Sequence, residues 1–183
     1  MTAALVGITI LSLFIVCGLF ALVSVMIGKQ KTGVPFLPIP SHLLEEILGA
    51  LEIAPESVFY DLGCGDGRVV RSVAKSEPRA RALGVELVFF PYMLARIRNF
   101  FHPVKNVVIR RANFNDISLS NATHIFLYLF PPVMDALLPK LESELRGARV
   151  VSCDFPFRNR AANRTILVKN EKHRAHTLYV YEF

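Results

Sequence analysis

The chain predicts an α/β protein: a seven-stranded, mostly parallel sheet that ends in an antiparallel hairpin, preceded by one N-terminal transmembrane helix. Three observations carry this. Short β-prone runs alternate with amphipathic helical runs, the pattern of a parallel sheet built with right-handed crossovers. The last two β-prone runs lie too close together for a crossover and pair as a hairpin. Finally, Thr2 to Gly28 contains no charged side chain, and about 20 apolar residues in a helix cross the hydrocarbon core of a bilayer.

The elements follow in chain order. Residues 1–28 read as the anchor. No basic residue precedes the run, it is longer than a signal-peptide core, and no A-x-A site closes it, so a cleaved signal is disfavoured. Lys29 and Lys31 follow at once. The positive-inside rule then places everything downstream on the cytoplasmic side of a single-pass protein. Residues 29–40 form a Pro-rich linker, with Pro35, Pro38 and Pro40 making a stiff, extended strap. It is either a spacer or a flap in which Pro35, Phe36 and Pro38 fold back over the mouth of a site.

Residues 41–183 read as one domain. Ser41 is placed as the N-cap of a helix whose Leu43, Leu44, Ile47, Leu48 and Leu51 form an apolar face, ended by Ala54-Pro55. A strand at about 57–61 and a helix at 67–76 follow, then a strand at 81–86 and an aromatic-rich helix within 87–101 that starts close to Pro91. Strands at 106–111 and 123–130 flank a short polar stretch, and the second reads as a central strand buried on both faces. Pro131-Pro132 opens a helix to about Arg146, with Gly147 as its C-cap. Strands at 148–153, 164–168 and 176–183 finish the sheet, the last two turning around Asn170 to His173.

Composition excludes several classes. Twenty-one basic against 15 acidic residues give a net charge of +6, which suits a solvated surface or attraction to anionic headgroups. Trp is absent and the basic residues form no long block, so no nucleic acid is expected. Cys17, Cys64 and Cys153 share no metal-ligand spacing and no paired framework. Neither metal nor disulfide is expected, in keeping with a reducing compartment.

The chemistry concentrates in Val58 to Gly67, VFYDLGCGDG, a strand that runs into a glycine-rich turn and then a helix. Glu86 lies nineteen residues beyond Gly67, where the second strand of a Rossmann-like βαβ unit offers a carboxylate to a ribose. The dinucleotide spacing G-x-G-x-x-G is not met, and no Gly-Lys-Ser/Thr phosphate loop exists. Asp61 and Asp66 suit a cofactor carrying an ammonium rather than a phosphate, and S-adenosylmethionine has that character.

These residues resemble the first two motifs of the class I S-adenosylmethionine-dependent methyltransferases. The strap GVPFLPIPSHLLEEIL, the run FLYLFPPVMDALLPKLESEL and the run ARVVSCDFPF extend the resemblance to the small membrane-anchored lysine methyltransferases, whose members modify the c-ring protein of ATP synthase and the adenine nucleotide translocase. The resemblance implies that Asp61, Gly63, Cys64 and Gly65 line the methionine end of the cofactor and that Glu86 and Leu87 flank its ribose. It places Asn113 and Phe114 at the adenine, with Asn113 where the family more often has Asp. Tyr128 would lie over the methyl group, with Phe130 and Pro131 forming an apolar rim. By position alone Tyr128 is either sheet core or a hydroxyl that reaches the acceptor, and Asp154, at the end of the fifth strand, is either a helix or turn cap or a residue that orients the acceptor. Phe100 and Phe101 belong to an aromatic cluster that reads mainly as core but could meet lipid.

Methyl transfer needs orientation and a neutral nucleophile, so no dedicated base is required. The function expected is methyl transfer, by an enzyme held in the bilayer, to lysine of a membrane protein. The alternatives are a lipid headgroup or membrane-soluble small molecule as acceptor, and a non-catalytic S-adenosylmethionine-binding membrane module.

Overall fold

The computed structural model describes residues 2–32, 37–170 and 173–183. Helix α1 runs Thr2–Thr32. Its described side chains are continuous only from Ala4 to Val16, about 20 Å of helix at 1.5 Å per residue. Among the described residues no helix is long and apolar enough to cross a membrane. Of the strap, Gly33 to Phe36 lies outside the described residues.

The domain then runs α2 (Leu44–Leu51), β1 (Val58–Leu62), α3 (Arg68–Ser76), β2 (Arg81–Glu86), α4 (Phe89–Phe101), β3 (Val107–Arg111), β4 (His124–Leu127), α5 (Pro131–Glu144), β5 (Arg149–Cys153), β6 (Arg164–Asn170) and β7 (His173–Glu182). The seven strands form one sheet in the order β3-β2-β1-β4-β5-β7-β6. β1 pairs in parallel with β2 and β4, and only β7 runs antiparallel to its neighbours β5 and β6.

Strand alternation sends side chains to two separate cores. Phe59 points to the face covered by α2 and α3, where it meets Ile47, Val70 and Val73. Val58, Tyr60 and Leu62 point to the other face, against Leu137 and Leu141 of α5 and against Ile117 and Leu119. The strand order reverses between β1 and β4, and ligands of such sheets bind in the crevice beyond the strand ends at that point. All five β1 residues are buried, so the loop after β1 hangs from a rigid support.

The structure moves several boundaries. Ser41 is not the cap of α2: it begins a 3-10 turn, Ser41–Leu43, and neither helix start has a side-chain cap. α2 stops at Leu51, before Ala54-Pro55, because Glu52 adopts a left-handed conformation with φ 52. Gly147 is left-handed, but in the turn into β5 rather than directly after α5. The fourth strand is shorter than its apolar run, ending at Leu127. Tyr128 to Phe130 leave the ladder, and Phe130 stays extended ahead of Pro131, as the residue before a proline must.

Candidate active site

The loop after β1 is built by backbone conformations that side chains resist. Gly63, Gly65 and Gly67 all have positive φ, at 80, 55 and 76°. The Gly63 and Cys64 amides both donate to the Val85 carbonyl, at 2.8 and 3.0 Å, tying the loop to the end of β2. That approach requires glycine at 84, where a Cβ would sit 2.8 Å from Cys64 Sγ.

Two buried carboxylates flank the loop. Asp61, at the end of β1, accepts from the Val70 amide in the first turns of α3 at 3.2 Å. Burial raises its pKa to about 8, against the Val70 hydrogen bond, and the Glu86 and Asp66 charges add to the rise. Glu86 accepts from the Gly65 amide at 2.9 Å with one oxygen and from the Val88 amide at 2.7 Å with the other. Burial raises its pKa too, while those amides pull it down. Each Glu86 oxygen keeps a lone pair for a ligand hydroxyl.

Asp66 plays another part than its sequence position suggests. Its carboxylate turns to Arg68, at 2.5 Å, and to Arg98 of α4. Burial pushes its pKa up, but hydrogen bonds from Arg68 and Arg98 outweigh that and hold it below the usual range. The Arg68 guanidinium also donates to the Ile39 carbonyl of the strap. Asp66 is thus neutralised within the protein, and Asp61 is the acid left for a ligand ammonium.

A cavity of about 340 Å³ opens over these groups, within the range of small-molecule sites. Its wall takes in Asp61, Gly63, Cys64, Gly65, Glu86, Leu87, Asn113, Phe114, Tyr128 and Phe130. Of the residues singled out in the sequence, Pro131 and Asp154 are not on that wall, where Pro132 and Val133 stand instead. Asn113 caps the 3-10 turn Phe114–Asp116, its side-chain oxygen accepting from the Asn115 amide at 3.0 Å. The oxygen has a second lone pair for an adenine amine.

Asp154 sits behind the cavity with φ 63. It accepts from the Thr177 amide at 3.1 Å and pairs with His176 Nδ1 at 2.9 Å. Burial above all, and then the Asp154 charge, raise the Tyr128 hydroxyl pKa. Cys64 is held far from thiolate by burial and three nearby acids, so it is a space-filling thiol. Sequence reasoning missed Phe155, which stacks on Tyr128 at 5.9 Å and on Phe130 at 5.2 Å between ring centroids. It also left open the strap: Leu37, Pro38 and Ile39 form part of the cavity wall.

The residues present fit S-adenosylmethionine. A carboxylate as buried as Asp61, with one amide donor, is electrostatically incomplete and calls for a cation. Glu86 offers free acceptor positions one strand away, and the far wall is aromatic.

Residues 61–164 match the family described as the ANTKMT methyltransferase domain. The chain belongs to that family. As an ANTKMT-type methyltransferase it uses S-adenosylmethionine. A protein-lysine N-methyltransferase of Saccharolobus islandicus is 36% identical over 81% of this chain and 92% of its own length. The mouse adenine nucleotide translocase lysine N-methyltransferase is 34% identical over 69% of this chain, which spans 56% of that relative. Among solved structures, an RNA methyltransferase from Salinibacter ruber in complex with S-adenosyl-L-homocysteine superposes with a TM-score of 0.72 at 32% identity, covering 80% of this chain and 93% of that one.

Proposed function

We propose that this methyltransferase transfers methyl groups to the ε-amino group of lysine in a protein, and that it does so at a membrane, held there by α1. One observation carries the acceptor assignment: beyond the buried Asp61–Glu86 end, the cavity wall is the aromatic set Tyr128, Phe130 and Phe155, with no acid or base among its described residues there. The similarity to protein-lysine N-methyltransferases supports the same reading.

Bound S-adenosylmethionine supplies a methyl group activated by a sulfonium. The chain supplies the rest. Asp61 takes the methionine ammonium, Glu86 the ribose hydroxyls, and Asn113 with Phe114 the adenine edge and face. A lysine ammonium approaching Tyr128 and Phe155 is desolvated, which lowers its pKa, so it gives its proton to solvent water at the open mouth and enters as the neutral amine whose lone pair attacks. The ring faces favour the methylated ammonium that forms on transfer. Asp154, held off the cavity wall by His176 and the Thr177 amide, acts on the acceptor only through Tyr128, whose hydroxyl pKa it helps burial to raise.

The membrane assignment rests on the uncharged run Thr2 to Gly28 and on the exposed large side chains of α1, such as Ile8, Leu13 and Phe14. Apolar surface on that scale is buried by lipid or by a partner. The relative named for the adenine nucleotide translocase makes a membrane protein the acceptor class of choice.

The test is transfer of tritiated methyl from S-adenosylmethionine into native membranes by the full-length chain, followed by fractionation. Label is expected in protein, as methyl-lysine after hydrolysis. Label confined to lipid, or removed by ribonuclease, sinks the proposal. Tyr128→Phe is expected to lower kcat about tenfold and leave cofactor affinity unchanged, the loss of roughly one hydrogen bond in the transition state.

A further inference from the structure

Helix α4 packs the wrong way round for a helix facing water. Its fully buried positions are the small or compact Pro91 and Ala95. Ala95 lies so close to the cofactor loop that a Cβ on Gly67 would sit 3.0 Å from its Cβ. The large residues point out: Ile97, Phe100 and Phe101 are 46, 79 and 69% exposed, with the two phenyl rings edge to face. Val108, on the edge strand β3, is 56% exposed beside them. An open groove runs between Phe100 and Val108. Outside α1, this is where the exposed large apolar side chains of the described residues concentrate.

The charge around the patch has one sign. From Leu87 to Asn115 the sequence has no Asp or Glu but has Arg96, Arg98, Lys105, Arg110 and Arg111. Arg98 is taken by Asp66. Arg96, Lys105 and Arg110 are exposed and have no acidic partner among the described residues. α1 passes beside α4.

We infer that the outer face of α4 and the β3 edge form a second membrane contact, which lies on an anionic bilayer surface with Phe100 and Phe101 in the acyl boundary and Arg96, Lys105 and Arg110 at the headgroups. Exposed aromatics set among cations that lack acidic partners are the composition of interfacial binding. A protein partner of matching shape would answer the apolar part alone. The anionic surface answers both parts, and it lies where α1 would bring the domain. Docked in this way, α4 is a second point of attachment that holds the domain in one orientation over the bilayer.

The chain contains no Trp, so Phe101→Trp in the full-length protein is a unique reporter at an exposed site outside the cofactor cavity. The variant is reconstituted with vesicles of phosphatidylcholine, with or without phosphatidylglycerol, carrying lipids brominated on the acyl chains. Unchanged S-adenosylmethionine binding confirms the fold. With phosphatidylglycerol, blue-shifted emission quenched by the bromines is expected. Arg96→Gln and Arg110→Gln should each lower the docked-to-undocked ratio about fivefold, and high salt should do the same. Three results overturn the inference. Protein that fails to float with anionic vesicles removes the membrane altogether. Protein that floats with emission red and unquenched leaves α1 as an anchor and α4 in water. A blue shift without quenching that disappears on dilution into excess lipid makes a second copy of the chain the occupant.

Discussion

Asp61 is the residue proposed to hold the cofactor's ammonium, and its environment makes a pH prediction. Burial raises its pKa to about 8 in the ligand-free protein. A cationic ligand binds the ionised form, so below pH 8 binding must first expel a proton. Affinity for S-adenosylmethionine should fall about tenfold per pH unit from 8 down to 6, and turn over above 8 as the ligand's own α-amino group deprotonates. Titration calorimetry of Asp61→Asn should find weak binding with that slope gone. A slope that survives the substitution would place the titrating group elsewhere. Gly84 makes the matching steric prediction. A methyl there meets Cys64 Sγ at 2.8 Å and Ile109 Cδ1 at 3.0 Å, so Gly84→Ala should cost about 1–3 kcal/mol as overpacking and shift the loop that Cys64 belongs to. Adding Cys64→Gly should recover part of the loss in denaturant midpoint. No recovery would mean that the clash with Ile109 dominates. Both residues show why the site is partly legible in sequence. The glycines and acids of DLGCGDG announce a close ligand, but the destination of Asp66 depends on Arg98, thirty-two residues away, which no local pattern reveals.

At the scale of elements, the strands and helices follow from hydrophobic period and breakers, because most of them obey local chemistry. Every strand and helix of the domain lies where alternation or a 3.6-residue stripe puts it, within a few residues. The departures come from tertiary demands. THIFLYLF reads as one buried strand, yet only His124–Leu127 stays in the sheet: Tyr128 stacks on Phe155 and so becomes wall. α4 reads as an aromatic core helix, yet buries only Pro91 and Ala95, since the loop leaves room for nothing larger. The strap is undecidable from sequence because its contact with the cavity depends on tertiary partners: Ile39 is buried in the core, and its carbonyl is held by a side chain twenty-nine residues away. Arg68 bonds Asp66 and the Ile39 carbonyl together, fastening Leu37–Ile39 against the site. Arg68→Ala should therefore weaken S-adenosylmethionine binding about tenfold, the worth of one charged hydrogen bond, with a faster off-rate. Trypsin should also cut more readily at Lys29 and Lys31. Unchanged off-rate and unchanged cleavage would show that the strap is held without it.

For the molecule as a whole, the same carboxylates that prepare the site set the pH dependence of stability before any ligand arrives. Asp61 is raised from 3.8 to about 8 by burial, and Glu86 moves in the same direction. A group whose folded pKa lies above its unfolded one contributes its full stability below the unfolded value and loses it as pH rises through the folded value. Between about pH 4 and pH 8 the unfolded chain releases the Asp61 proton and the folded chain keeps it, so the ligand-free fold should weaken steadily across that window. Asp66 acts the other way: its lowered pKa gives stability that is present at neutral pH and lost only on acidification, through breakage of its pairs with Arg68 and Arg98. The two trends together place the optimum of the empty protein on the mildly acidic side. S-adenosylmethionine reverses the order, because it repays the ionised Asp61. At a hundred times its dissociation constant a ligand adds about 2.7 kcal/mol, roughly 5–10 °C in Tm for a domain of this size, and at one fixed cofactor concentration the gain should be larger at pH 8 than at pH 6. Thermal melts of the full-length chain in detergent at both pH values, with and without cofactor, check it. Asp61→Asn should flatten the ligand-free trend and abolish the pH dependence of the cofactor-induced shift. A ligand-free protein that is instead most stable near pH 8 would show that Asp61 is ionised in the empty fold, and that the ammonium fills a site already charged for it.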